Sequence, residues 1–464
     1  MTPPSICFTA EARNANEVPR LLAEAYAAFN SPRPGPVHLS LPLDIMQSTI
    51  EPTDWRHYYR QQQRPTPSPS AIDQVAQTLA KARRPLLLLG RGCAGARAEM
   101  RRLIDAWDLP FCTSLQGKGV AYHDSPWNLG VVGTAGSPRA NAWIKECDLL
   151  LVVGSSLNEF TTGVYTHVPR DGMTLLRVDI DPAAARSHIP ADLDICADAR
   201  EFFTALADHP PQGDRAFEAD LHGLCATLPF FVETPVHNTG VPGVTPMDVV
   251  RFLQENAPAD AIFVGDAGNN AAWISHCLRL RGEQEFYIDI NTGCMGSGVT
   301  SAIGLQCAHP NRRVVSVCGD GGMFMLGNEV STAVEHSIPV VWLVFNDSKL
   351  GMIRQGSSEV YGVEITCRFS ATNLSTWAKG LGATVLRVET AEALAAALKE
   401  TLNQPVAGGP VVFDVMIDDS YLPNFYPRAK RRQEEEPIHN AVQRALAARR
   451  SSKQEHSPTA QPIL

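Results

Sequence analysis

Twice in this chain, apolar runs of strand length alternate with segments of helical spacing, and that alternation constrains the fold more than any other feature. The first series fills residues 71–208. AIDQVAQTLAKA and ARAEMRRLIDAWD repeat apolar residues at helical intervals. PLLLLG (85–90), LPFCTS, CDLLLVVG (147–154) and TLLRVDID (174–181) are continuous apolar runs, as buried strands are. The second series fills 241–418, with AIFVGDAG (261–268), RRVVSVCGDG (312–321) and PVVWLVFND (339–347) as strands between helical segments. LGATVLRV and GPVVFDVMID complete it. A strand separated from the next by a helix pairs with it in parallel, with helices covering the sheet faces. The expected fold class is therefore α/β, with doubly wound parallel sheets in successive domains and a remnant of a third. The boundaries are a remnant at 1–50, a Pro-rich linker at 51–70, a central domain at 71–208, a linker at 209–240, a third unit at 241–425 and a flexible tail at 426–464.

Composition excludes several functions. A net charge of −9 argues against a nucleic-acid partner. No apolar run approaches the ~18 residues of a membrane span, and no signal peptide is visible. The eleven cysteines stand singly, without a CxxC pair, so neither a zinc site nor a disulfide framework is indicated. Such thiols suit a reducing cytoplasm. RAKRR, near the C-terminus, is followed at once by EEE and reads as a solvated tail. The thirteen histidines fall in no nucleophile-elbow context.

Chemistry is concentrated at two strand ends. VVSVCGDGG ends in Gly319-Asp320-Gly321-Gly322, and VVWLVFND ends in Asn346-Asp347. Ligands of open α/β sheets bind at the carboxyl ends of strands. The two aspartates are 27 residues apart, one strand–helix–strand unit, so their strands can be neighbours. Paired hard oxygen donors suit Mg²⁺, and glycine amides before a helix N-terminus suit an anion. A lone Gly-Asp-Gly is usually only a tight turn. Followed after 24 residues by Asn-Asp at the next strand end, it is a stronger signal.

GDGGMFMLGNEVSTAVEHSIPVVWLVFNDSKLGMIRQG resembles the cofactor motif of thiamine diphosphate enzymes, in particular their acetolactate synthase branch. That motif is GDG, a spacer and Asn-Asn; here the second Asn is Asp347. The resemblance implies Asp320, Asp347 and the backbone carbonyl of Lys349 as metal ligands, with Gly319, Gly321, Gly322 and Met352 against the cofactor. INTGCMGSGVTSAIGLQCAHP is similar to the segment beneath the cofactor, which implies Gly293 and Met295 as its backbone contacts and Met295 as the apolar wedge that bends it. GDAGNNAAW is similar to the diphosphate loop, with Asn269 and Asn270 in place of a Gln/His pair. PGPVHLSLPLDI resembles the end of the family's pyrimidine-binding domain, and GKG (117–119), CDLLLVVGSSL and VDIDP resemble its central domain. The likeness runs to about residue 420.

The family's catalytic glutamate belongs to the pyrimidine-binding domain, of which only the closing segment is matched. Glu11 and Glu17 fall after its place, so no catalytic residue is assigned. The glutamate would come from upstream sequence or from a separate chain. The resemblance implies a 2-oxo acid substrate, a homo-oligomer and a carboligase or decarboxylase activity. Without its first domain the chain is expected to be poorly soluble. A binding protein without turnover is the alternative.

A third reading is a dinucleotide-dependent oxidoreductase, because Gly90-x-Gly92-x-x-Gly95 follows a strand and precedes a helix. No acidic residue stands at the next strand end, where such proteins hold a ribose. FAD, held by some family members in the central domain, is the lesser expectation, since Phe160 in SSLNEFTTG stands where an arginine is expected.

Overall fold

In the computed structural model, the described residues are 6–423 apart from 61–62, 122–123, 135, 169–170, 187, 210–216, 232–242, 291, 364–366 and 370–371. The tail expected at 426–464 lies outside them.

Strands β1 (Phe8–Glu11) and β2 (Val37–Ser40) form a two-stranded parallel sheet. The helix Val18–Phe29 crosses between them and buries Leu21 and Ala25. The next six strands are β3 (Pro85–Leu89), β4 (Phe111–Thr113), β5 (Asn128–Val131), β6 (Leu149–Val153), β7 (Thr174–Asp179) and β8 (Leu193–Cys196). They form one parallel sheet in the order β5-β4-β3-β6-β7-β8. The last six are β9 (Ile262–Gly265), β10 (Glu285–Ile288), β11 (Val314–Gly319), β12 (Val341–Asn346), β13 (Thr384–Val388) and β14 (Val411–Met416). Their sheet is also parallel throughout, in the order β10-β9-β11-β12-β14-β13. The α/β, doubly wound reading therefore holds. Every residue of β3, β6 and β12 is buried, as expected of parallel strands covered on both faces.

The stretch 209–240 differs from the expected linker. Residues Phe217–Thr227 form a helix, and Phe217 and Leu221 join the core on one face of the central sheet. Spaced four apart, they lie on one helical face. Arg139 fastens the helix end by donating to the carbonyls of Cys225 (2.8 Å) and Leu228 (2.7 Å). The 51–70 connector is mostly extended, but Trp55 stacks on Tyr26 at 4.3 Å and the following helix already begins at Pro69.

Each large sheet has one point where the chain reverses its direction of winding. In the central sheet it lies between β3 and β6, and in the last sheet between β9 and β11. Ligand crevices of such sheets open there, at the carboxyl ends of the strands.

Candidate functional site

Three neighbouring strands end in an acidic residue at the second of these points. β9 leads to Asp266, β11 to Asp320, and β12 ends at Asn346 before Asp347. The register pairs Val317 with Gly265 and Gly319 with Phe345, so Asp320 is level with Asn346 and Asp266 stands two residues lower on its strand.

Asp320 is 2% exposed. Its Oδ1 accepts from the Gly321 amide and its Oδ2 from the Ser348 amide, both at 2.7 Å. The second bond draws the loop after β12 onto the Gly-Asp-Gly turn. Ser348 takes φ +56, a left-handed conformation that turns its amide inward. Asn346 points the other way. Its Nδ2 donates to buried Asp414 at 2.7 Å, and its Oδ1 accepts from the Ser348 amide at 3.2 Å. Asn346 thus fixes the loop, and Asp347 faces the cavity.

Burial, and then the charge of Asp347, push the Asp320 carboxyl up to about 7. Burial and the charge of Asp419 raise Asp347 in turn. Lys349 and Arg354 both bind Asp419, the latter at 3.1 Å. The sign for stability follows. A carboxyl raised in the fold stabilises it below the unfolded value and loses that contribution as pH rises towards 7. A cation needs the ionised form, so its affinity runs the opposite way. A divalent cation offered to these carboxylates is expected to bind about tenfold more weakly at pH 6 than at pH 8. Calorimetry at the two pH values checks this.

The opposite wall comes from the ends of β9 and β10. Asn269 and Asn270 begin the helix Asn269–Cys277. Asn269 Nδ2 donates to Gln355 Oε1 at 3.1 Å, and Asn270 Nδ2 to the Ala267 carbonyl at 3.3 Å. The Oδ1 atoms of both are buried and make no hydrogen bond among the described residues. The Gly293–Gly296 loop is held by Asp266, whose Oδ1 accepts from the amides of Gly296 (2.8 Å) and Gly298 (3.1 Å). Met295 reaches over the Gly-Asp-Gly turn: a Cβ on Gly321 would stand 2.8 Å from Met295 Cε and 2.9 Å from Leu350 Cδ2. The turn can therefore carry only glycine at this point without displacing both side chains.

All eleven residues singled out in the sequence line one cavity of about 280 Å³. The glycines 293, 319, 321 and 322, Met295 and Met352 meet Asn269, Asn270, Asp320, Asp347 and Lys349 there. Trp273, Leu350, Asp419 and Tyr421 are among the other lining residues.

The thiamine pyrophosphate enzyme central domain matches residues 72–206, and the C-terminal TPP-binding domain of the same enzymes matches residues 266–415. The chain belongs to the thiamine pyrophosphate enzymes. Two acetolactate synthase relatives illustrate the kinship. The "Probable acetolactate synthase large subunit" of Methanocaldococcus jannaschii is 29% identical over 433 residues, covering 88% of this chain and 70% of that protein. The acetolactate synthase isozyme 2 large subunit of Escherichia coli is 29% identical over 424 residues, 89% of this chain and 74% of that one.

The cavity suits the cofactor of these enzymes. Two carboxylates with a disfavoured ionised form, side by side in one cavity at the strand ends, match a divalent cation.

Sequence reasoning missed Asp266, which no role was given although it is 1% exposed and ties β9 to the Met295 loop. A signal existed: Gly265-Asp266-Ala267-Gly268 has the same grammar as Gly319-Asp320-Gly321.

The dinucleotide motif takes a different place. At the first reversal point a polar cavity of about 330 Å³ is lined by Gly92, Gly154 and Asp179 among others. A Cβ on Gly90 would overlap the Gly154 carbonyl, and one on Gly92 would stand 2.8 Å from Gly154 Cα. These glycines are thus used up by the contact of the β3 and β6 loops. β4 ends in Thr113-Ser114 with no carboxylate, and Asp179 stands on β7 instead. The geometry gives the oxidoreductase reading no support.

Proposed function

We propose that this chain is a thiamine diphosphate- and Mg²⁺-dependent carboligase or decarboxylase of 2-oxo acids, similar to acetolactate synthase. The observation that carries the reading is the convergence of Asp320, Asp347 and Met295 on one cavity at the reversal point of a parallel sheet. When bound, the cofactor supplies a nucleophilic carbon and an electron sink for cleaving the bond beside a 2-oxo group.

The chain's own residues bind and orient it. Asp320, Asp347 and the Lys349 carbonyl hold the cation. Gly319, Gly321 and Gly322 admit the diphosphate, with Asn269 and Asn270 beside it. The backbone of Gly293 and Met295 would hold the aminopyrimidine, and the Met295 side chain would pack against the cofactor. Met352 would lie against the cofactor. The domain division proposed is 1–50, 71–208 and 241–425, with Phe217–Thr227 added to the central unit.

One observation favours a second reading, a thiamine diphosphate-binding protein that depends on another chain. Leu43 and Met46 near the N-terminus are 70% and 67% exposed. A partner carrying the catalytic glutamate, or a second copy of the chain, would cover such a surface. The test is pyruvate consumption with thiamine diphosphate and Mg²⁺. Turnover by the chain alone supports the first reading. Cofactor binding without turnover supports the second. Failure to bind the cofactor refutes both.

A further inference from the structure

The Gly117-Lys118-Gly119 segment of the central domain has no part in the site described, yet Lys118 is 1% exposed and its ammonium crosses into the cofactor domain. Its Nζ donates to the Ser275 carbonyl at 2.6 Å. Ser275 lies in the last turn of the helix Asn269–Cys277, whose first two residues stand on the cofactor cavity. The contact is tight at a second point. A Cβ on Gly119 would stand 2.6 Å from both the N and the O of Phe286 in β10. Only glycine lets the two backbones approach so closely.

We infer that Lys118 is a positioning residue, through which the central domain fixes the helix that presents Asn269 and Asn270 to the cofactor. The inference rests on the thiamine diphosphate reading above. Residues 270–277 are all buried, so the terminal carbonyls of the helix need partners within the protein interior. The Leu278 amide takes the Ile274 carbonyl at 3.2 Å. Lys118 takes the Ser275 carbonyl and sets a positive charge at the negative end of the helix. Burying an ammonium costs stability, and burial lowers its proton affinity to about 7, with Cys277 opposing and Arg279 adding to the shift. A methionine of similar length would avoid that cost but leave the buried Ser275 carbonyl unpaired, so the lysine serves this end of the helix in particular. A nine-residue helix moves as one body, so freeing one end displaces the asparagines at the other.

The test compares the wild-type chain with Lys118→Met in titrations of thiamine diphosphate with Mg²⁺, read by tryptophan fluorescence, since Trp273 lines the cavity. The expected result is affinity about tenfold weaker in K118M, as for loss of a buried charge-assisted bond. Equal affinity overturns the inference. No binding by wild type overturns the thiamine diphosphate reading instead. Coupling is reciprocal, so a second measurement needs no variant. Adding thiamine diphosphate with Mg²⁺ to the wild type must slow amide exchange across 114–120. No change there overturns the inference even where K118M fails to fold.

Discussion

Replacing Asp320 by asparagine is expected to weaken Mg²⁺-dependent thiamine diphosphate binding by about a hundredfold or more, since a first-sphere oxygen outweighs the 10–100-fold effect of an outer-shell partner. Asp320 is central because both its oxygens are aimed: one at its own turn, the other at the loop that carries Asp347. Asparagine keeps the shape and one acceptor but removes the charge. The free protein should lose some stability but stay folded. The carboxyl is raised to about 7, so losing its charge costs the fold little, but the asparagine NH2 faces one of the two backbone amides that Asp320 accepts from, and that hydrogen bond is lost at about 1–3 kcal/mol. Calorimetric titration measures the affinity and differential scanning the stability. An affinity loss matched by an equal collapse of the free protein would make Asp320 a folding residue and not a ligand.

Replacing Gly90 by alanine should act the other way, on stability with no direct effect on the cofactor cavity. The new Cβ would overlap the Gly154 carbonyl, and backbone stands on both sides of the contact. Neither loop can yield cheaply, because β3 and β6 are paired over five residues and fully buried. Overpacking of this kind costs about 3 kcal/mol, or roughly 10 °C in melting temperature for a domain of this size. If the glycines also framed a dinucleotide site, the wild type would bind a nicotinamide dinucleotide. Thermal unfolding of Gly90→Ala beside a dinucleotide titration of the wild type separates the two.

The sequence revealed the buried strands and hid most of the edges. β3, β6, β11 and β12 are apolar runs because helices cover both their faces. β5, β8 and β10 were not foreseen, and all three lie at sheet edges. Their sequences, NLGV, LDIC and EFYI, include polar residues or glycine that an edge tolerates, which breaks the apolar signal. The helix Phe217–Thr227 was read as linker because its burial rests on two residues, Phe217 and Leu221. In the site, Asp320, Asp347 and Met295 were legible through a motif with fixed spacing. Asp266 carries the same Gly-Asp grammar but no sign of its partner, and Lys118 carries neither. Each acts on a residue distant in the chain, Asp266 on the Gly296 amide and Lys118 on the Ser275 carbonyl, and local pattern does not reveal such a pairing.

The central claim is that two strand ends hold a divalent cation against a diphosphate. Its most direct test is calorimetric titration of thiamine diphosphate into the chain, once with Mg²⁺ and once with the metal removed by chelation. The account predicts binding at one site with Mg²⁺ and at least a hundredfold loss without it. Equal affinity in both conditions, or none in either, would contradict it.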